Sequence, residues 1–515
     1  MTSRYACDVI VVGAGPNGLA AAAALAEAGL HVRVVEAHGQ PGGGCRTGER
    51  TLPGFAHDIC STVHPLGLGS PWFRALGLER EVTWVHAPAA LAHVLRDGRV
   101  VTLERSLDDT VAQLGGDARA YRRLLAPFVE RFEPLAEMVL GPLRFPRDPI
   151  LMARFGLRGL RSLRGLGRAW FDGDEAPALL AGIAVHAMVP LDRLATASFG
   201  LLLAAAGHAV GWPIARTGSH AITDALLGRL RDHGGELVTG ERVRRLDRLP
   251  PARAYVLDVS PRALDAIAGD RLPARYRRAL QRFRYGPGVF KIDWALRGPV
   301  PWRDPNAARA ATVHLSGTLD DVAATEAAVH AGRGDQRPFV LFVQPTLFDP
   351  SRAPAGQHIA WAYCHVPAGA AIDRTAAIEA EVERFAPGFR DQILARATVD
   401  PVELAAYDPN YVGGDINGGL ADLRQLWFRP ALRRDPYATP APDIFLCSSS
   451  TPPGGGVHGM CGYWAARSVL RRVFGREAPS LSSAASTTAR RPSHRPHRPT
   501  AAPSTSRSAG YRARG

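Results

Sequence analysis

One stretch near the start of the chain, CDVIVVGAGPNGLAAAAALAEAGLHVRVVEA from Cys7 to Ala37, restricts the possible folds more than any other. Val9 to Val12 predict a strand, Gly13-Ala14-Gly15-Pro16-Asn17-Gly18 a tight turn, and the helix formers Leu19 to Ala28 a helix ended by Gly29. A second strand-like run, Val32 to Val35, leads to Glu36, 18 residues beyond Gly18. Strand, glycine turn, helix, strand and acid in this order are the parts of a dinucleotide-binding βαβ unit. Gly13 permits the sharp turn, Gly15 lets the backbone approach a pyrophosphate, and Gly18 lets the helix pack on the strand. The helix start offers free N–H groups and a positive dipole end to the phosphates. Glu36 can accept hydrogen bonds from ribose hydroxyls and would repel a 2′-phosphate, which argues against NADP. These residues leave FAD and NAD both open.

At 515 residues the chain exceeds one ordinary core, so two or more domains are expected. It shows no charged-then-apolar leader and no apolar run of the ~18 residues that span a bilayer, which predicts a soluble, cytoplasmic protein. The net charge of +14 resembles a nucleic-acid signal, but seven arginines and no acid lie between Pro479 and Gly515, in a Ser/Thr/Pro/Ala-rich tail. With Lys291 the one lysine, the arginine bias is compositional and no nucleic-acid partner is expected. An internal segment, GPLRFPRDPILMARFGLRGLRSLRGLGRAW, is basic and amphipathic from Ile150 onward. It reads either as contact with an anionic membrane surface or as a solvated face over an apolar core. The six cysteines form no C-x-x-C pair, so no redox disulfide and no metal site is expected.

Further along, GQPGGGCRTGERTLPGFAHDICSTVHP brings Gly42, Gly43, Gly44, Arg46 and Thr47 after Glu36, then a strand pair around Thr51 to Asp58. LRDGRVVTL predicts a hairpin at Asp97-Gly98. APALLAGIAVHAMVPL and ASFGLLLAAAGHAVGWP are apolar nearly all round and predict helices that are buried or line an apolar cavity. Strand-like runs, GVFKIDWAL and FVLFVQP, mark the mixed region from about Asp270 to Ala406. Near the end, IFLCSSSTPPGGGVHGMCGYWAARSVLRRVFG repeats the opening grammar of strand, glycine turn and helix. A dinucleotide whose flavin end is gripped by a second helix start explains that return, and favours FAD.

These motifs, together with HAVGWPIARTGSHAITDAL, GGDINGG and TPPGGGVHG, resemble the phytoene desaturase-related flavoproteins over nearly the whole chain from Asp8 to about Phe474. That family lies in a superfamily with the amine oxidases and the Rab GDP-dissociation inhibitors. Within that family the sequence resembles the branch described as pyridine nucleotide-disulfide oxidoreductase domain-containing protein 2, a description that implies no disulfide here. The resemblance implies FAD, with its adenosine end at Gly13, Ala14, Gly15, Pro16, Asn17, Gly18, Glu36 and Ala37. It places the pyrophosphate near Gly43, Gly44, Arg46 and Thr47, an adenine contact at Val243, and the flavin end at Gly455, Gly456 and Val457. Relatives often carry arginine where Gly44 stands, glycine where Thr217 stands, and Gly-Ala where Ser448-Ser449 stand.

The fold class expected is α/β: a discontinuous Rossmann-like FAD-binding domain over residues 1–70, 213–265 and 416–476, and an inserted mixed α+β substrate domain over 71–212 and 266–415. A disordered basic tail is expected over 477–515. The function expected is desaturation or another oxidation of a long apolar substrate, of isoprenoid or carotenoid type, by hydride transfer to flavin, with peripheral membrane contact. An amine-type oxidase, a non-catalytic lipid-binding protein and a redox-regulatory flavoprotein are the alternatives. No catalytic residue is assigned and the oligomeric state is left open. Asp58, His64 and His458 each read as acid or base, or as a turn-orienting polar residue. His186 and His208 read as core residues, and Asp415 and Asn417 as loop-ordering or turn-forming.

Overall fold

A computed structural model describes residues 5–334 and 336–481; most of the predicted tail, with His494 and His497, lies outside the described residues. The opening stretch forms strand β1 (Cys7–Val12), helix α1 (Pro16–Glu27) and strand β2 (Val32–Val35). Pro16 suits the first helical position, where its missing N–H costs nothing. β1 is central in a parallel sheet ordered Ile444–Leu446, Ala252–Leu257, β1, β2, Glu236–Val238.

Parallel strands need crossovers that cover both faces. On one face the alanines of α1 let the helix Met460–Val469 approach very closely. A Cβ on Gly462 would stand 2.0 Å from the Asn17 carbonyl oxygen. The other face is covered by Leu264, Tyr276 and Leu280 of the helices Pro261–Ala268 and Ala274–Gln281. This Rossmann-like sheet is discontinuous, since its strands come from the start, the middle and the end of the chain.

The intervening segments build a seven-stranded sheet ordered Ile393–Val399, Gly288–Leu296, His358–Val366, Val340–Val343, Ala310–Leu315, Ala89–Val94, Val100–Glu104. Its pairings are antiparallel except for Ala310–Leu315 beside Ala89–Val94. The hairpin expected at Asp97-Gly98 is present, with Gly98 at φ 93°. The strand pair expected around Thr51 to Asp58 is shifted: Thr47–Glu49 pairs with Ala56–Asp58, because Pro53 and Gly54 place the turn between them.

Alternation divides the two faces of this sheet. Phe290, Ile292, Trp294 and Phe342 enter an apolar core with Val382 and Phe389. Thr312, Leu341, Val343, Trp361 and Tyr363 face the opposite side and form the floor of a cavity. Of the two all-apolar helices, Thr196–Ala209 lines that cavity through Phe199 and Leu202, whereas Glu175–Ala184 is buried packing with no lining residue. No helix among the described residues is long and apolar enough to cross a membrane.

Candidate active site

The glycine turn and the loop after β2 meet backbone to backbone. Gly42 N–H donates to the Ala14 carbonyl at 2.8 Å, and a Cβ on Gly43 would lie 3.1 Å from Gly15 Cα. Glu36 is buried at the tip of β2: Oε2 accepts from Ala14 N–H at 2.7 Å and Oε1 from His38 N–H at 2.8 Å. Arg46 Nη2 donates to the same Oε1 at 3.2 Å. Ala37 is exposed beside them, and Val243 packs on the apolar cluster that contains Val12 and Val35.

Two buried polar atoms at this turn, Arg46 Nη1 and Asn17 Oδ1, have no partner. Buried polar groups are normally satisfied, so one free donor and one free acceptor fit the phosphate and sugar groups of a dinucleotide. The Thr47 hydroxyl is already engaged, donating to Asp58 Oδ1 at 2.7 Å. At Gly44 a Cβ would meet Tyr411 Oη at 2.6 Å, so no arginine fits there without moving that tyrosine.

A cavity of about 620 Å³ starts at this turn. Pro16, Asn17, Gly44, Gly455, Gly456 and Val457 line one end of it, which brings the first and last glycine runs together. Gly455 has no room for a side chain, since a Cβ would stand 2.9 Å from the Asn417 carbonyl oxygen. Asp415 orders that neighbouring loop: it accepts from Gly286 and Gly419 N–H at 2.7 and 2.8 Å, and from Asn417 N–H at 2.8 Å. From there the cavity crosses Trp361 and Tyr363 and reaches Phe155 and Leu160. Its lining among the described residues contains no aspartate or glutamate. Trp361 and Tyr363 were missed from the sequence, although HIAWAYCHV alternates aromatic with small residues.

The titratable candidates separate by their partners. Burial alone would raise Asp58, but the Arg352 guanidinium, Ser219 N–H and the Thr47 hydroxyl outweigh it and hold the carboxyl down at about 2. Asp58 is thereby a buried ion-pair partner and not an acid or base for catalysis. His64 and His458 line the cavity, and burial lowers both to about 4, so both are neutral at pH 7. Ser219 donates its hydroxyl hydrogen to the Ser61 carbonyl and therefore accepts from His64 Nε2–H at 2.9 Å, which leaves His64 Nδ1 bare and unpartnered. His458 Nδ1 accepts from Met460 N–H at 3.0 Å, so its unpartnered Nε2 carries the hydrogen. His208 pairs with Tyr121 Oη at 3.1 Å in the core, whereas His186 lines the cavity, contrary to its expected core role.

Residues 11–76 match a family model described as NAD(P)-binding Rossmann-like domain. The chain is 30% identical to phytoene dehydrogenase of Streptomyces griseus over 420 residues, covering 75% of this chain and 77% of that protein. The chain belongs to the phytoene desaturase-related oxidoreductases. The chain is also similar to pyridine nucleotide-disulfide oxidoreductase domain-containing protein 2 of Rattus norvegicus, 25% identical over 90% of this chain and 93% of that protein. The family fold extends to cyclohexylamine oxidase from Brevibacterium oxydans, with a TM-score of 0.56 at 16% identity over 91% of this chain and 98% of that one. At that identity the likeness is one of fold.

Proposed function

We propose that the protein holds FAD between its two glycine-rich segments and oxidises a long apolar molecule, by desaturation, in the adjoining cavity. The observation that carries this reading is a single cavity that begins at Gly455 and Asn17 and continues between apolar walls that bear no carboxylate. An ammonium substrate would find no counter-charge there, which weighs against amine oxidation. Gly13, Gly15 and Gly18 with Glu36 would hold the adenosine and phosphates, Arg46 Nη1 would meet a phosphate, and Gly455 to Val457 would seat the flavin. Bound there, FAD supplies a two-electron acceptor for hydride. The apolar walls exclude water from the reacting bond. His64 Nδ1 is a bare acceptor in the wall for the proton that leaves, and His458 Nε2–H is a neutral donor beside the flavin-seating glycines.

The substrate would enter from a membrane surface. Phe145, Leu157, Leu143 and Ile150 are 89%, 79%, 69% and 68% exposed around the far end of the cavity, which Leu143 and Arg144 line. Exposed apolar side chains among arginines suit an anionic lipid surface. In an anaerobic titration with liposomes containing phytoene, the oxidised flavin band is expected to bleach; a band that stays oxidised argues against desaturation. The double variant Phe145→Glu/Leu157→Glu is expected to keep its flavin and lose co-sedimentation with anionic liposomes. Unchanged co-sedimentation would remove the membrane route.

A further inference from the structure

One ionisable group at the glycine turn has no part in the chemistry above. Asp258 follows the strand Ala252–Leu257, and its Oδ2 accepts from Gly18 N–H at 2.8 Å. Cβ atoms on Gly13, Gly15 and Gly18 would meet Asp258 atoms at 2.9, 2.9 and 3.1 Å. At Gly13 the atom met is the Asp258 backbone carbonyl oxygen; Gly15 and Gly18 are the two that leave room for the carboxyl, whose Oδ2 would lie 2.9 and 3.1 Å from their Cβ atoms. The residue as a whole is half-buried.

The carboxyl thus takes up an N–H of the helix start that attracts phosphate, and as an anion it would oppose a diphosphate there. The charged groups that act on it are themselves acids: Asp408, just after the helix Pro401–Tyr407, and Glu36 at the tip of β2. Cys447, after the strand Ile444–Leu446, and Cys461, on the helix Met460–Val469, face it as thiols raised by burial. Arg46 is paired with Glu36 and acts on Asp408, the two acids that act on Asp258.

We propose that Asp258 is a proton-linked determinant of dinucleotide affinity: its neutral carboxyl admits the diphosphate and its carboxylate repels it. This rests on the reading of the turn as an FAD site. Burial raises the carboxyl to about 7, with Gly18 N–H opposing and Asp408 and Glu36 reinforcing the rise, so the free protein loses the proton near neutral pH. A single proton required for binding makes Kd rise by up to about tenfold per pH unit above that point and leaves it flat below.

The test is the Kd for FAD of the flavin-stripped protein, read by flavin fluorescence from about pH 6 to about pH 9. The wild type is expected to show that rise above neutrality. Asp258→Asn, which keeps an oxygen for Gly18 N–H and has no proton to lose, is expected to bind FAD with a pH-independent Kd. A flat wild-type profile, or the same slope in both proteins, overturns the proposal while leaving the FAD site intact. Absence of FAD uptake by the wild type at every pH overturns the FAD reading and this proposal together. If Asp258→Asn does not fold, Asp258→Ser, which also has no proton to lose, is read in its place with the same expected flat profile, and a flat wild-type profile overturns the proposal in either case.

Discussion

Gly462→Val is expected to destabilise the protein by about 3 kcal/mol, the upper end of the range for overpacking, and to deplete its flavin. A Cβ at this position would lie 2.0 Å from the Asn17 carbonyl oxygen and 2.8 Å from Ala21 N. Both are backbone atoms of α1, so no rotamer change relieves the clash. The helix must move away from α1, which is fixed between β1 and β2 by the parallel sheet. That movement pulls on Gly459, the cap of the same helix at φ 64°, and so on Gly455 and Gly456 just before it. It also strains the 3.3 Å hydrogen bond from Asn17 Nδ2 to Ser449 Oγ that ties the two glycine runs together. Chemical denaturation and flavin content are the readouts, and Gly462→Ala should show the same effects more weakly. Wild-type stability in the valine variant would mean that the two helices are not in this contact.

Arg352→Met is expected to cost about 3–5 kcal/mol, because it leaves buried carboxylates without their cation. Arg352 and Asp58 are fully buried; the guanidinium pairs with Asp58, donates from Nε to Asp349 Oδ2 at 3.0 Å and reaches the Ala215 carbonyl at 2.6 Å. Asp349 in turn accepts from Thr217 N–H at 2.7 Å. Thr217 is held at φ 67°, a conformation costly for a β-branched residue. The cation therefore anchors Asp58, Ser219 and the strained turn together. Asp58 sits at about 2 in the fold and near ~4 when unfolded, so its pairing stabilises the protein fully above about pH 4 and loses that effect as pH falls towards 2. The stability difference between wild type and Arg352→Met should accordingly be largest near neutrality and shrink in acid. A pH-independent difference would show that lost packing, and not the unpaired carboxylates, dominates.

The parts legible in the sequence are those whose physics is local. The βαβ unit announces itself because glycine spacing, helix formers and a terminal acid lie within 37 residues. The second glycine run reads the same way, although its contact partner, Asn17, lies over 400 residues away. What escaped was set by the fold at long range. Asp58 and Arg352 are 294 residues apart, so nothing near Asp58 marks it as an ion-pair partner. Trp361 and Tyr363 lie in a strand buried on both faces, where hydrophobic patterning cannot tell cavity wall from core. For the same reason Glu175–Ala184 and Thr196–Ala209 look alike in sequence, yet only the second meets the cavity. Asp258 lies 240 residues from Gly18, so nothing local in the sequence marks it as the partner of that N–H.

The most direct measurement is the flavin content of the purified protein, from its visible absorption spectrum and from chromatography of the cofactor released on denaturation, with the protein kept at about pH 6, where Asp258 is protonated. About one equivalent of FAD per chain, one per glycine-lined groove, is the expected result. Protein that carries no flavin, and takes up none when FAD is added, would contradict the FAD assignment and leave the apolar cavity to a carrier.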